Sequence, residues 1–260
     1  MSTSTRLWRR RLHFLSPVWW GPAAVMVVVL GVLWQWAAGK WPYLLSPLGQ
    51  IVTVLKEQPH YFLTSAWITL REALIGLGIG FVVAFVLAII ISELPVARRA
   101  IMPVAVVLNV TPLVAIAPAL VIAFGFGPAP KLILTSLICF FPILINTAAG
   151  LRTVPKPVLQ VYQSVDASRW ELLRHLRIPS SLPYVFAALQ IVFPLSIVGA
   201  FVAELTAAGS SAGLGTTIQQ AQSMNHLSTV WAAIFVLALM GSLLLLLVTI
   251  VERRVLRWTH

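Results

Sequence analysis

Acidic residues are scarce in this chain: 7 Asp and Glu stand against 18 Lys and Arg in 260 residues, and all charged types together make up only 10%. A soluble globular domain carries about a quarter charged residues, so the shortage excludes a water-facing surface over most of the molecule. Cysteine is nearly absent too. The single Cys139 forms no intrachain disulfide and fits no metal-ligand spacing, which leaves it the role of a small buried hydrophobe. His13, His60, His175 and His260 have no partners at metal spacing either, so no metal site and no cofactor are expected. No stretch matches G-x-x-x-x-G-K-[ST], so any ATP use has to come from another chain. Low-complexity tracts, short-period repeats and an interdomain linker are also missing, which predicts one membrane domain.

What is abundant is apolar sequence: 59% of the residues are hydrophobic, in uncharged runs at or beyond the roughly 20 residues that cross a bilayer. Six spans are predicted, near 18–38, 65–92, 100–124, 131–151, 182–205 and 228–251, giving an all-α polytopic membrane bundle. The basic residues fall mostly on one side of it. Arg6, Arg9 to Arg11, Arg98, Arg99, the cations from Arg152 to Arg177, Arg253, Arg254 and Arg257 share one set of loops. Lys40, Lys56 and Lys131 fall on the other, and Arg71 lies just inside the second span. This asymmetry predicts cytoplasmic termini and makes the net charge of +11 a matter of topology, not nucleic-acid binding. Arg9-Arg10-Arg11 before an apolar stretch resembles a signal peptide, yet the run from Phe14 to Gly39 is uncharged, longer than an h-region of about 7–15 residues. It is expected to be a retained first span, with Trp19, Trp20, Trp34, Trp36 and Trp41 towards its interfacial ends.

The expected organisation is an N-terminus and first span over 1–39, an external segment over 40–63, a transmembrane core over 64–254 and a cytoplasmic tail over 255–260. A short surface helix is predicted from Pro47 to Glu57. Gly76, Gly78 and Gly80 suit close helix approach, since small residues let backbones pack in lipid. Pro112 and Pro118 predict a kinked third span that either lines a pathway or only fits the bundle. Asn109, Thr111, Pro112, Ser196 and Glu204 are the candidate pathway residues; for Glu204, closing the fifth span at the headgroups is the other reading.

The segment 152–181 between spans four and five is too long for a turn. Pro155 and Pro157 suit a helix start, after which Val158, Val161, Tyr162 and Val165 fall at helical spacing. Ser168-Arg169-Trp170-Glu171 forms a capping box, predicting a second helix from Ser168 to the residue before Pro179, with the break at Asp166-Ala167. Its apolar face, ringed by Arg169, Glu171, Arg174 and Arg177, fits a docking surface for another protein or a helix lying on the membrane.

Here the sequence resembles the permease subunits of binding-protein-dependent ABC importers. Their signature runs E-A-A, three residues, glycine, about nine residues, then I-x-L-P. Ala167-Ser168-Arg169-Trp170-Glu171 and Leu176-Arg177-Ile178-Pro179-Ser180-Ser181-Leu182-Pro183 are similar to its tail. Gln160-Val161-Tyr162 replaces E-A-A, and Asp166 stands at the glycine; if that position is left-handed, Asp is among the few residues that tolerate it. Phe124 to Gly127 with Lys131, Phe140 to Ile143, Asn146-Thr147, Gly150-Leu151, Ala203-Glu204, Gly213 to Gly215 and Glu252 to Arg254 with Trp258 resemble the nitrate, sulfonate and taurine branch, which also carries thiamine-pyrimidine precursors and riboflavin. The resemblance implies a non-enzymatic inner-membrane subunit, a second permease copy and two ATPase subunits. It also implies an external solute-binding protein and coupling helices that place Val165, Asp166, Ala167, Ser168, Arg169, Trp170, Glu171, Leu173, Leu176 and Pro179 against the ATPase. Two rivals remain. An ion-coupled carrier would need ionisable groups near the midplane; an intramembrane hydrolase would use Gly209-Ser210-Ser211-Ala212-Gly213 with His226, although that motif works on a strand-to-helix elbow.

Overall fold

The computed structural model describes residues 17–164, 166–206 and 213–256. All regular structure within them is helical. The long elements are α1 (Pro17–Lys40), α3 (Pro59–Glu93), α6 (Pro128–Gly150), α9 (Ile178–Thr206) and α11 (Leu227–Val255). Between them lie α2 (Leu48–Glu57), α4 (Pro95–Val110), α5 (Leu113–Phe124), α7 (Lys156–Ser164), α8 (Arg169–Leu172) and α10 (Leu214–Ser223). Among the described residues, five helices are long and apolar enough to cross a membrane, or six when the bent pair α4–α5 counts as one span.

The centre of the bundle is α6, held between α3 and α9. Small residues decide that arrangement, because in lipid there is no hydrophobic drive between helices and close backbone approach must supply the attraction. A methyl group on Gly76 would lie 2.6 Å from Thr135 Cβ, and one on Gly80 would lie 2.7 Å from the Ser136 carbonyl oxygen. On the other side, Gly199 faces the Thr135 backbone and Gly150 faces Ser181 and Tyr184. Gly78, grouped with them in the sequence, faces open space, because it points away from α6 on the opposite side of its helix. Ser136 Oγ donates to the Gly76 carbonyl at 2.9 Å, a bond that only such proximity permits. Lower in the bundle, Ala84, Ala88, Cys139, Ile143, Ala188 and Val192 close the core.

The first span is attached differently. α1 is apolar and almost wholly exposed, and its hold on the bundle is aromatic: Trp34 meets Trp231 of α11 edge-on at 4.6 Å between ring centroids. The indole N–H of Trp34 donates to the Ser46 carbonyl at 3.0 Å and that of Trp231 to the Leu44 carbonyl at 3.1 Å, pinning the connection to α2.

Two expectations need correction. The third span is not one kinked helix: α4 and α5 meet at 98° around Thr111-Pro112. Pro112 has no N–H to continue the ladder, and the residue before a proline avoids helical angles; Thr111 accordingly has ψ 129°. Nor does the helix after Ser168 stop before Pro179. A single π-type turn over Leu173–Arg177 carries α8 into α9, forming one rod of 38 residues from Arg169 to Thr206. In that turn the Ile178 N–H reaches back to the Leu173 carbonyl, five residues away. The widened turn gives the Pro179 ring room where a tight α-turn would clash.

Candidate functional site

The segment joining α6 to α9 is built from local interactions. Arg152 N–H and Thr153 N–H close a turn on Ala149 and Gly150, and Val154 is buried beneath it. α7 then runs from Lys156 to Ser164, and beyond it Asp166 has a left-handed φ of 53°. That conformation lets the Ala167 N–H return to the Tyr162 carbonyl at 3.1 Å and turns the chain into α8. Asp tolerates it at modest cost, which is how the fold survives without glycine here.

The start of α8 is the capping box that the sequence predicts. The Ser168 N–H donates to Glu171 Oε2 at 2.8 Å, and the Glu171 N–H donates to Ser168 Oγ at 3.2 Å. A rod of 38 residues measures about 57 Å, against a hydrocarbon core of about 30 Å. The charged end from Arg169 to Arg177 therefore stands outside the span. There the Ser168 backbone N–H, and then its hydroxyl, hold the Glu171 carboxyl below the usual glutamate range.

Trp170 is 65% exposed and Val161 63%, so the apolar patch is presented outward by α7 and α8 together. Asp166, Ser168, Arg169 and Glu171 are exposed around it, Ala167, Leu176 and Pro179 are half-buried, and Val165 lies outside the described residues. Leu173 corrects the expected docking set. It is buried against the bundle core with Leu151 and Ile91, because the turn that begins α9 rotates it inward. Arg177 forms an ion pair with Glu93 at the end of α3, fastening this segment to the bundle.

The candidate pathway residues do not come together. Asn109, Thr111 and Pro112 cluster at the break between α4 and α5, where Thr111 Oγ1 donates to the Val107 carbonyl at 2.7 Å. Ser196 is buried in α9 and donates to the Phe193 carbonyl. Glu204 is fully buried elsewhere, in a polar cluster that sequence reasoning did not assemble. Its Oε1 accepts from Thr69 Oγ1 at 2.7 Å and its Oε2 from the Gly215 N–H at 2.6 Å, while the Leu214 N–H donates to Thr69 Oγ1 at 2.9 Å. The start of α10 is thereby tied to α3 and α9. Gly213 and Gly215 leave the room, since a Cβ on either would run into the Glu204 side chain.

Nearby, Lys131 of α6 is fully buried and its Nζ lies 3.1 Å from Glu72 Oε1 of α3. The sequence counts Lys131 among the loop cations, whereas it is buried inside α6. Gln190 donates to Glu252, joining α9 to α11. The only sequence signal for the ion pair was a lysine entering the fourth span with an acid at a similar depth in the second. His226 precedes α11, while Gly209 to Ala212 of the hydrolase motif lie outside the described residues.

An all-helical bundle with five or six candidate spans among the described residues, and a capped helix pair projecting from one end, defines a polytopic membrane protein. The chain belongs to the family of binding-protein-dependent transport system inner membrane components, which it matches over residues 61–257. It is 31% identical over 235 residues to the formylaminopyrimidine transport permease protein ThiX of Halalkalibacterium halodurans, covering 89% of this chain and 93% of that one. With the riboflavin transport system permease protein RibX of Chloroflexus aurantiacus it shares 34% over 161 residues, 62% of this chain and 59% of that one. The taurine transport system permease protein TauC of Escherichia coli is 28% identical over 250 residues, 95% of this chain and 87% of that one. Among solved structures, a chain of the MetNI methionine ABC transporter in inward-facing conformations superposes with a TM-score of 0.67 at 15% identity, covering 76% of this chain and 98% of that one, a likeness of fold alone. The chain is thus the permease subunit of a bacterial binding-protein-dependent ABC importer, a multi-pass membrane protein without catalysis of its own, and membership implies ATPase and binding-protein partners.

Proposed function

We propose that this permease carries a small vitamin-precursor solute, a heterocycle of the pyrimidine or flavin kind, across the bacterial inner membrane. Relatives named for formylaminopyrimidine and for riboflavin support that class, and relatives named for sulfonates and taurine support the broader one of small organic anions. Two permease copies form the pathway between them, two ATPase subunits seat on Asp166 to Glu171 with Leu176 and Pro179, and an external binding protein delivers the solute. Both termini are cytoplasmic. ATP binding favours one pathway state over the other, and the spans rock between inward and outward openings. The break at Asn109-Thr111-Pro112 is the pathway element of this mechanism; Ser196 and Glu204 support it from within the bundle.

The observation that carries this reading is the exposed Trp170 on a rigidly capped helix. An exposed aromatic ringed by charge is how a protein docking site is built. The test is to purify the permease with its ATPase and compare wild type with Trp170→Ala combined with Glu171→Arg. Release of the ATPase from a 2:2 complex, with the spans still folded, supports the docking. An ATPase that stays bound, or uptake that persists without ATP and follows an ion gradient, overturns it. The solute class is tested separately by titrating the purified binding protein with pyrimidine precursors, riboflavin, taurine and alkanesulfonates.

A further inference from the structure

A second basic feature lies at the same end of the bundle, at the root of the docking helices. Arg98, in the first turn of α4, and Arg152, just past the end of α6, line one cavity of about 180 Å³. Its other walls are apolar: Ile91, Met102, Ile145 and the alanines Ala148 and Ala149. Both arginines are exposed, and neither has a carboxylate within ion-pair distance among the described residues. The acid nearest in sequence, Glu93, is engaged by Arg177. Acids are scarce throughout the chain, 7 against 18 Lys and Arg.

Depth places the cavity at the headgroups. The uncharged run of α3 ends at Ser92, and Ile91 at its foot forms one wall, so the arginines sit where hydrocarbon gives way to water. Two like charges beside a low-dielectric wall repel each other, and a shared anion removes that repulsion. Guanidinium forks match phosphate oxygens bidentately. A soluble phosphate would leave the apolar walls unsatisfied, whereas the glycerol and first methylenes of a lipid cover them. Basic pockets between spans on the cytoplasmic side are where anionic headgroups bind.

We propose that Arg98 and Arg152 bind the phosphate of an anionic phospholipid, whose acyl chain lies along Ile91, Met102 and Ile145. The proposal rests on the cytoplasmic placement of this end. Arg152 opens the segment leading to α7, so the lipid steadies the root of the docking helices.

The test uses the permease with its ATPase in mild detergent. Native mass spectrometry follows retention of added phosphatidylglycerol, with phosphatidylcholine and inorganic phosphate as comparison probes. Arg98→Gln with Arg152→Gln is expected to lower phosphatidylglycerol retention about tenfold or more, the effect of losing a charge-assisted contact. Arg99→Gln with Lys156→Gln, which removes two equal charges outside the cavity, is expected to leave it unchanged. Equal losses in the two variants, equal retention of phosphatidylcholine, or displacement of the lipid by inorganic phosphate overturns the proposal. Should the first variant fail to assemble, Arg98→Lys with Arg152→Lys keeps the charge, loses the fork and is expected to weaken retention; unchanged retention overturns it. Labelling a cysteine at Val96 from either side of intact membranes tests the orientation independently of lipid binding.

Discussion

At the scale of single residues, the buried carboxylate of Glu204 sets the strictest demands. Its two oxygens are shared between a span hydroxyl and the backbone at the start of α10, and both flanking glycines touch it. Gly215→Ala is expected to lower stability by about 1–3 kcal/mol, the usual cost of overpacking, read as an earlier thermal unfolding midpoint in detergent. Lys131→Ala is expected to cost more, about 3–5 kcal/mol, because it breaks a buried ion pair from one side. Adding Glu72→Leu to Lys131→Met should recover much of that loss, a recovery that an unrelated packing defect would not give. At the exposed capping box, protonation acts in the opposite setting. The Glu171 carboxyl is held below its ordinary range, so its contribution is complete above the ordinary glutamate value and disappears as pH falls through the depressed one. The protection of the Ser168 and Glu171 amides, taken relative to the intrinsic exchange rate at each pH, should therefore fall on acidification in the wild type, and in Glu171→Ala should be low without that added acid dependence.

The elements differ in how far they could be read from the sequence, and the difference follows contact range. The capping box was legible because its partners are three residues apart, and the left-handed Asp166 because few side chains accept that conformation. The Lys131–Glu72 pair joins residues 59 apart and the Thr69–Glu204 bond residues 135 apart; no local pattern marks either. Prolines were legible as interruptions but not in kind. Pro112 breaks a span into two helices at 98°, whereas Pro179 is absorbed by one widened turn. The neighbouring contacts decide, and those are tertiary. Pro112→Ala restores an amide donor and frees Thr111 to turn helical, so the angle between α4 and α5 should open. Spin labels at Val106 and Ile122, both exposed, should then move apart. An unchanged distance would mean that packing, not proline, holds the bend.

For the molecule as a whole, the three-helix slab of α3, α6 and α9 matters more than any one span. α6 is hemmed by backbone on both sides: at Gly76 and Gly80 by α3, at Gly150 and Gly199 by α9. Helices fitted that closely cannot slide past each other without collision, so they travel together. One member, the rod from Arg169 to Thr206, carries the exposed Trp170 at one end and, near the other, the carboxylate that grips α10. A stiff rod fixed into a slab behaves as a lever. When its two ends swing about the middle they must move in opposite senses, and a shove on the Trp170 end arrives at the α10 end reversed. No chain of side-chain rearrangements has to relay the message. On the alternating-access mechanism proposed above, this coupling keeps the inward and outward openings from coexisting, and a single methyl group at Gly76 or Gly199 would act by loosening the packing of the slab, far from either mouth.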